Sequence, residues 1–181
     1  QKDIADDHFF YERSCIRQTF FPGSEAAFLR ILREELGKDI CDNPHQHTCT
    51  GIGYHSDVVP LETTMTVVAR LFSLMSECGY ENYVPSCVTS FGVFSEVIEK
   101  WEHNPQLLEQ TRKYLYEATM REFKIPKNIV HPSDVIFKIR FDLKPKMKYQ
   151  LVNRFTGRPL RVVEHIGCHY AKIFPERGIG K

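Results

Sequence analysis

Residues 8–37 read HFFYERSCIRQTFFPGSEAAFLRILREELG. The aromatic run 9–11 has the composition of a short strand, and Cys15 follows just after it. Pro22-Gly23-Ser24 then reads as a turn and helix cap. Over residues 25–36, Ala27, Phe28, Ile31, Leu32 and Leu36 recur at helical spacing, and Gly37 stands where a C-terminal cap belongs. Residues 39–41 supply a second short strand, so the stretch and its continuation read as strand, helix, strand.

Further along, residues 62–78 form a long apolar-rich helix stopped by Gly79, and residues 83–87 resemble a buried strand in which Pro85 argues for an edge or a strand end. A helix runs from near Phe91 to Trp101. Pro105 separates it from another over 106–123, with Leu107, Leu108, Tyr114, Leu115 and Ala118 as its expected inner face. Residues 129–131 form a short strand, Pro132-Ser133-Asp134 cap a helix over 135–141, and the basic stretch 144–157 fits no single pattern. Residues 160–165 read as a strand, followed by a sharp turn at Gly167-Cys168-His169. Strands alternate with helices throughout, which predicts an α/β fold: a mostly parallel sheet with flanking helices and ligands gathered at the strand carboxyl ends.

With 42% hydrophobic and 26% charged residues the 181-residue chain has an ordinary globular composition, and a formal charge of +1 gives no reason to expect nucleic acid as a partner. No apolar run approaches the ~20 residues of a bilayer span, and residues 1–8 are unlike a signal peptide, so a cytoplasmic location is expected. Six cysteines are too sparse for a disulfide-stapled scaffold. Gly51-Ile52-Gly53 lacks the spacing of a nucleotide-binding loop. The opening at Gln1 without methionine, and the close shortly after a strand-like run, read as part of a longer protein.

Cys15, Cys87 and Cys168 each follow a predicted strand, and Cys49 lies in the loop 42–57, which holds three His, two Gly, one Pro and one Cys. In a parallel sheet the strand carboxyl ends share one edge, so Cys15, Cys49 and Cys87 are expected to converge there as thiolate ligands. Taken singly, a free cysteine is as readily a small buried hydrophobe, and Cys78, on an apolar helix face, is read that way.

The pattern resembles the B-type subunit of heterodisulfide reductase and its relatives, whose cysteine-rich domains carry a lone Cys, a Cys-Cys pair and a Cys-x-x-Cys. Ser14-Cys15-Ile16 followed by Phe21-Pro22-Gly23-Ser24-Glu25 is similar to the first of these with its helix start. Cys49-Thr50 stands at the pair after 33 residues (16–48), and Cys87-Val88-Thr89-Ser90 at the Cys-x-x-Cys after a further 36 (51–86). Thr50 and Ser90 replace two of the five family cysteines. Val130-His131-Pro132-Ser133-Asp134 resembles the family's central strand–helix junction, and His165-Ile166-Gly167-Cys168-His169 the start of its second cysteine-rich domain.

The resemblance implies a first cysteine-rich domain over 1–157 and the opening of a second over 158–181. It implies an oxidoreductase subunit that carries iron–sulfur clusters, non-cubane or cuboidal 4Fe-4S, and transfers electrons to a disulfide. Cys15, Cys49 and Cys87 would hold the first centre, with His47 as leading fourth ligand, His45 and His55 next, and Cys41 as a competing thiolate. Zinc is the alternative metal there. Cys168 would ligate the active cluster in the second domain, with His165 and His169 near the substrate. The implied partners are an iron–sulfur subunit, a flavin subunit and a disulfide or thiol substrate. A different reading makes the chain a non-redox scaffold whose structural zinc site helps it dock partner subunits.

Overall fold

The computed structural model describes residues 8–46, 51–147, 149 and 151–161. Four strands, β1 (His8–Glu12), β2 (Asp39–Cys41), β3 (Asn82–Pro85) and β4 (Asn128–Ile129), form one sheet in the order β2-β1-β3-β4. All three pairings are parallel, as expected from the alternation of elements. The register places Phe10 between Cys41 and Tyr83, and Glu12 opposite Pro85. Pro85 is the last residue of an interior strand, so its missing N–H disturbs the ladder only at its end.

The chain visits β1 and β2 on one side and β3 and β4 on the other. It connects them through α1 (Cys15–Phe20), α2 (Pro22–Arg30) with its π-helical continuation Ile31–Glu35, α3 (Gly51–His55), α4 (Leu61–Glu77), α5 (Val88–His103) and α6 (Pro105–Thr119). After β4 come α7 (Pro132–Lys138), α8 (Arg140–Leu143) and a 3₁₀ turn, Lys144–Lys146.

Alternation along β1 divides the interior into two cores. Phe10 points into a cluster with Phe72 of α4, Phe94 and Trp101 of α5 and Leu115 of α6. Phe9 and Tyr11 point the other way, against Phe28, Leu32, Val135 and Ile139. A sheet covered on both faces needs apolar residues at every position, which is why the aromatic run 9–11 shows no polar alternation. Gly37 and Gly79 both take left-handed backbone, with φ of 63° and 78°, where the two expected helix stops lie.

Several boundaries differ from the sequence expectation. Residues 15–20 form α1, which buries no residue and so left no periodic signal. Pro22 ends that helix by opening α2 at its first turn. Gly51 and Gly53 lie inside α3, and a Cβ on Gly53 would stand 2.6 Å from Val59 Cγ2, so that glycine serves close packing. On α6, Tyr114 faces solvent and its hydroxyl accepts from Gln110, while Thr111 takes the inner face because its hydroxyl bonds Leu107 O and accepts from Trp101 Nε1. The expected strand 160–165 is described only at 160 and 161; there Leu160 donates to Leu151 O beside an antiparallel bridge between Val152 and Pro159.

Candidate functional site

The strand order reverses between β1 and β3, since the connection from β1 leads to β2 on one side and that from β3 to β4 on the other. In open parallel sheets such a reversal leaves a crevice outside the strand carboxyl ends. Two polypeptide segments enter it here: Arg13-Ser14-Cys15 after β1 and Ser86-Cys87 after β3.

The paired residues Glu12 and Pro85 fix where the two cysteines lie, three and two positions beyond them. Cys15 is the first residue of α1 and is exposed; Ser14 caps that helix by accepting the Arg17 N–H at 3.2 Å. Cys87 is the N-cap of α5 and half-buried. The structure therefore brings these two predicted residues to one edge.

Two buried carboxyl groups lie beneath them. Glu25 of α2 accepts from the Tyr11 hydroxyl (3.3 Å), the Ser14 N–H (3.3 Å) and the Ser86 hydroxyl (3.4 Å), joining both strand ends to the helix. Burial pushes the Tyr11 hydroxyl pKa well up. Glu12 is fully buried; Ser90 Oγ donates to its Oε1 at 3.5 Å, and Oε2 has no hydrogen-bond partner among the described residues. Burial first, and the electrostatic influence of the nearby Cys87 second, push the Glu12 carboxyl well above the usual range and favour its protonated form. Arg17 reaches across to Ser86 O at 3.3 Å.

His131 caps α7 beyond β4, with its ring edge-on to Phe91 at 5.9 Å between centroids. Burial brings its pKa down to about 4, leaving a neutral ring at pH 7.

The root of the loop after β2 is pinned to the β1 exit. Arg13 pairs with the Asp42 carboxylate through Nε at 2.6 Å and through a second guanidinium nitrogen, and Gln46 Nε2 donates to the same carboxylate at 3.0 Å. His47 and Cys49 follow that root and lie outside the described residues, as do His165, Cys168 and His169. His45 is exposed, its N–H bonded to Asn43 Oδ1 and its carbonyl to Arg70, while His55 closes α3 with its ring 5.3 Å from Tyr54. Among the described residues no group of three or more His, Cys, Asp and Glu is placed to hold a metal ion.

Glu12, Arg17 and Ser86 were absent from the sequence reading; Glu25 entered it only as part of the helix start after Cys15, and Ser90 only as a replaced cysteine. A glutamate directly after the apolar run 9–11 was the one available signal, because the strand's two-sided burial leaves that position no route to water.

No family model matches the chain. Over 175 residues it is 27% identical to the B-type subunit of the Ferredoxin:CoB-CoM heterodisulfide reductase of Methanosarcina acetivorans. The chain is related to that reductase subunit. The aligned region covers 95% of this chain and 55% of the relative, so the chain spans about half the length of the curated protein it matches. No described helix is long and apolar enough to cross a membrane.

Proposed function

We propose that this chain holds the first cysteine-rich domain, residues 1–157, and the opening of a second, residues 158–181, of a cytoplasmic oxidoreductase subunit resembling the B-type subunit of heterodisulfide reductase, working in electron transfer to a disulfide. The observation that supports the reading is that Cys15 and Cys87 both stand just beyond the carboxyl ends of the neighbouring strands β1 and β3, in a chain related to that reductase. Cys15, Cys49 and Cys87 are the proposed thiolates of the first centre and His47 its fourth donor, with Cys41 the substitute. A bound iron–sulfur group, non-cubane or cuboidal 4Fe-4S, would supply one-electron chemistry there. The chain's own contribution is to hold the ligand-bearing segments: Glu25 ties both strand ends to α2, Arg17 spans them, and Glu12 keeps a proton beneath Cys87. Cys168, with His165 and His169, is the proposed working centre of a second domain. Iron–sulfur and flavin subunits of a heterodisulfide reductase-like complex are the proposed partners.

A second reading, a scaffold with structural zinc that docks partner subunits, is favoured by the loss of two family thiols at Thr50 and Ser90. Ser90 is fully buried and its hydroxyl serves Glu12. Anaerobic purification with quantification of iron, acid-labile sulfide and zinc separates the two. Iron with sulfide, lost on Cys49→Ser or Cys87→Ser and retained on Cys78→Ser, is expected; zinc alone selects the scaffold. Metal content unaffected by Cys15→Ser, Cys49→Ser and Cys87→Ser would dismiss a shared centre. Full retention in His47→Ala would remove that residue as a ligand.

A further inference from the structure

Residues 144–161 hold six lysines and arginines and no acidic residue, a local +6 in a chain of formal charge +1. Every described residue of that stretch except Asn153 is exposed, and no ion pair among the described residues involves one of its cations. Apolar side chains stand among the charges: Met147, Tyr149, Leu151 and Phe155 are each 70% or more exposed. Residues 151–160 form a small hairpin, closed by the Val152–Pro159 bridge and by the Leu160 N–H on Leu151 O. Its tip is tightly bonded. Asn153 Oδ1 accepts the Phe155 and Thr156 N–H groups at 2.9 and 3.1 Å, Asn153 O accepts the Gly157 N–H at 2.8 Å, and the Asn153 N–H donates to Arg158 O at 2.8 Å. Gly157 supplies the left-handed turn, with φ of 64°. Phe155 stands at that tip, 99% exposed, with Arg154 and Arg158 on either side of it in the turn.

We propose that this hairpin and the cationic stretch leading into it dock the chain peripherally on an anionic lipid bilayer. Phe155 enters the boundary between headgroups and acyl chains, where its ring leaves water, and Arg154 and Arg158 pair with lipid phosphates at the surface. Lys144 and Lys146 add charge that a negative leaflet attracts over about a Debye length. A protein partner is the poorer fit. Protein interfaces are depleted in lysine and receive an aromatic anchor in a fitted pocket, whereas headgroups yield around a protruding ring and favour a surface of one sign of charge. The contact adds no spanning segment, since no described helix is long and apolar enough to cross a membrane. None of these residues belongs to the strand-end edge, so this proposal and the redox reading fail separately.

The test is co-sedimentation of the full chain with vesicles of equal parts phosphatidylglycerol and phosphatidylcholine, beside vesicles of phosphatidylcholine alone. Binding is expected to the anionic vesicles only, and to weaken steeply as salt rises from ~0.05 to ~0.5 M. The double variant Arg154→Gln/Arg158→Gln should bind about 20-fold more weakly. Phe155→Ala should bind about tenfold more weakly. Both should keep their Tm, because these side chains are exposed. Arg112→Gln, which removes an exposed cation of α6, should bind as the unmutated chain does. In Phe155→Trp the added indole should shift its emission to shorter wavelength on the vesicles and be quenched by brominated lipid, a change the buried Trp101 does not give. Equal binding to both kinds of vesicle, no binding to the anionic ones at low salt, or no loss in the double variant would each overturn the proposal. So would an unshifted Phe155→Trp emission. Binding to soluble polyglutamate without binding to the vesicles would assign the surface to an acidic polypeptide and overturn it as well.

Discussion

His131 shows what a single side chain does at the strand-end edge. Its Nδ1 accepts the Ser133 N–H at 3.3 Å, and the Asp134 carboxylate accepts the His131 N–H at 3.2 Å, so the ring must be neutral to cap α7. Its folded pKa of about 4 lies below the roughly 6.5 of an unfolded histidine. The unfolded chain therefore takes up the proton first as pH falls. The stabilisation is whole above about pH 6.5, is lost progressively toward pH 4, and at this degree of burial amounts to about 2–3 kcal/mol. Asparagine keeps a side-chain acceptor for the helix and does not titrate. Thermal melts should accordingly show Tm falling more steeply between pH 6.5 and pH 4 in the unmutated protein than in His131→Asn, and parallel profiles would assign the acid sensitivity to other groups. The sequence exposed His131 as part of a strand–helix junction; its burial against Phe91 comes from α5, forty residues upstream, and no local pattern encodes it.

At the scale of elements, helices with one continuous apolar stripe were legible and those defined by contacts were not. The stripe of α4, with Met65, Val68, Ala69, Phe72 and Met75 buried, follows directly from the 3.6-residue period. The stop at Gly79 follows from its left-handed φ. The α5–α6 junction was read from Pro105 alone, yet Asn104 does the capping, accepting from Gln106 N–H at 3.1 Å and Leu107 N–H at 3.4 Å. Trp101 then locks the two helices: its rings meet Phe123 at 5.3 Å and Phe72 at 6.3 Å, and its indole N–H bonds Thr111. Thr111 on an inner face contradicts a purely apolar rule, which is why Tyr114 was chosen in its place. Urea denaturation should give a loss of about 3–5 kcal/mol for Trp101→Ala and about 1 kcal/mol for Asn104→Ala. A Trp101→Ala loss below that of the cap would mean the junction, not the packing, joins these helices.

Across the whole molecule the two edges of one sheet have opposite characters. The amino edge carries His8 and Asp39, an exposed pair 2.9 Å apart, whereas the carboxyl edge carries buried carboxyl groups, cysteines and helix N-termini. Parallel pairing makes that asymmetry unavoidable, since every strand delivers its exit to the same side. The sequence could place Cys15 and Cys87 at that side from strand order alone. It could not reveal Glu25 as the joint between the halves, because Glu25 sits in the first turn of α2 like an ordinary solvated helix acid and its three donors come from β1 and from the exits of β1 and β3. Removing it leaves a buried tyrosine hydroxyl, a backbone N–H and a serine hydroxyl without an acceptor, a cost of about 2–4 kcal/mol. Glu25→Ala should therefore lower both the urea midpoint and, if the proposed first centre is bound, the metal retained through anaerobic gel filtration, because the segments bearing Cys15 and Cys87 lose their common anchor. Glu25→Gln keeps an acceptor oxygen and should recover most of the stability. His8→Ala, at the opposite edge, should change neither quantity. If Glu25→Ala loses stability but keeps its metal as tightly as His8→Ala does, the two strand exits are held together by the centre itself and the carboxylate only supports the fold.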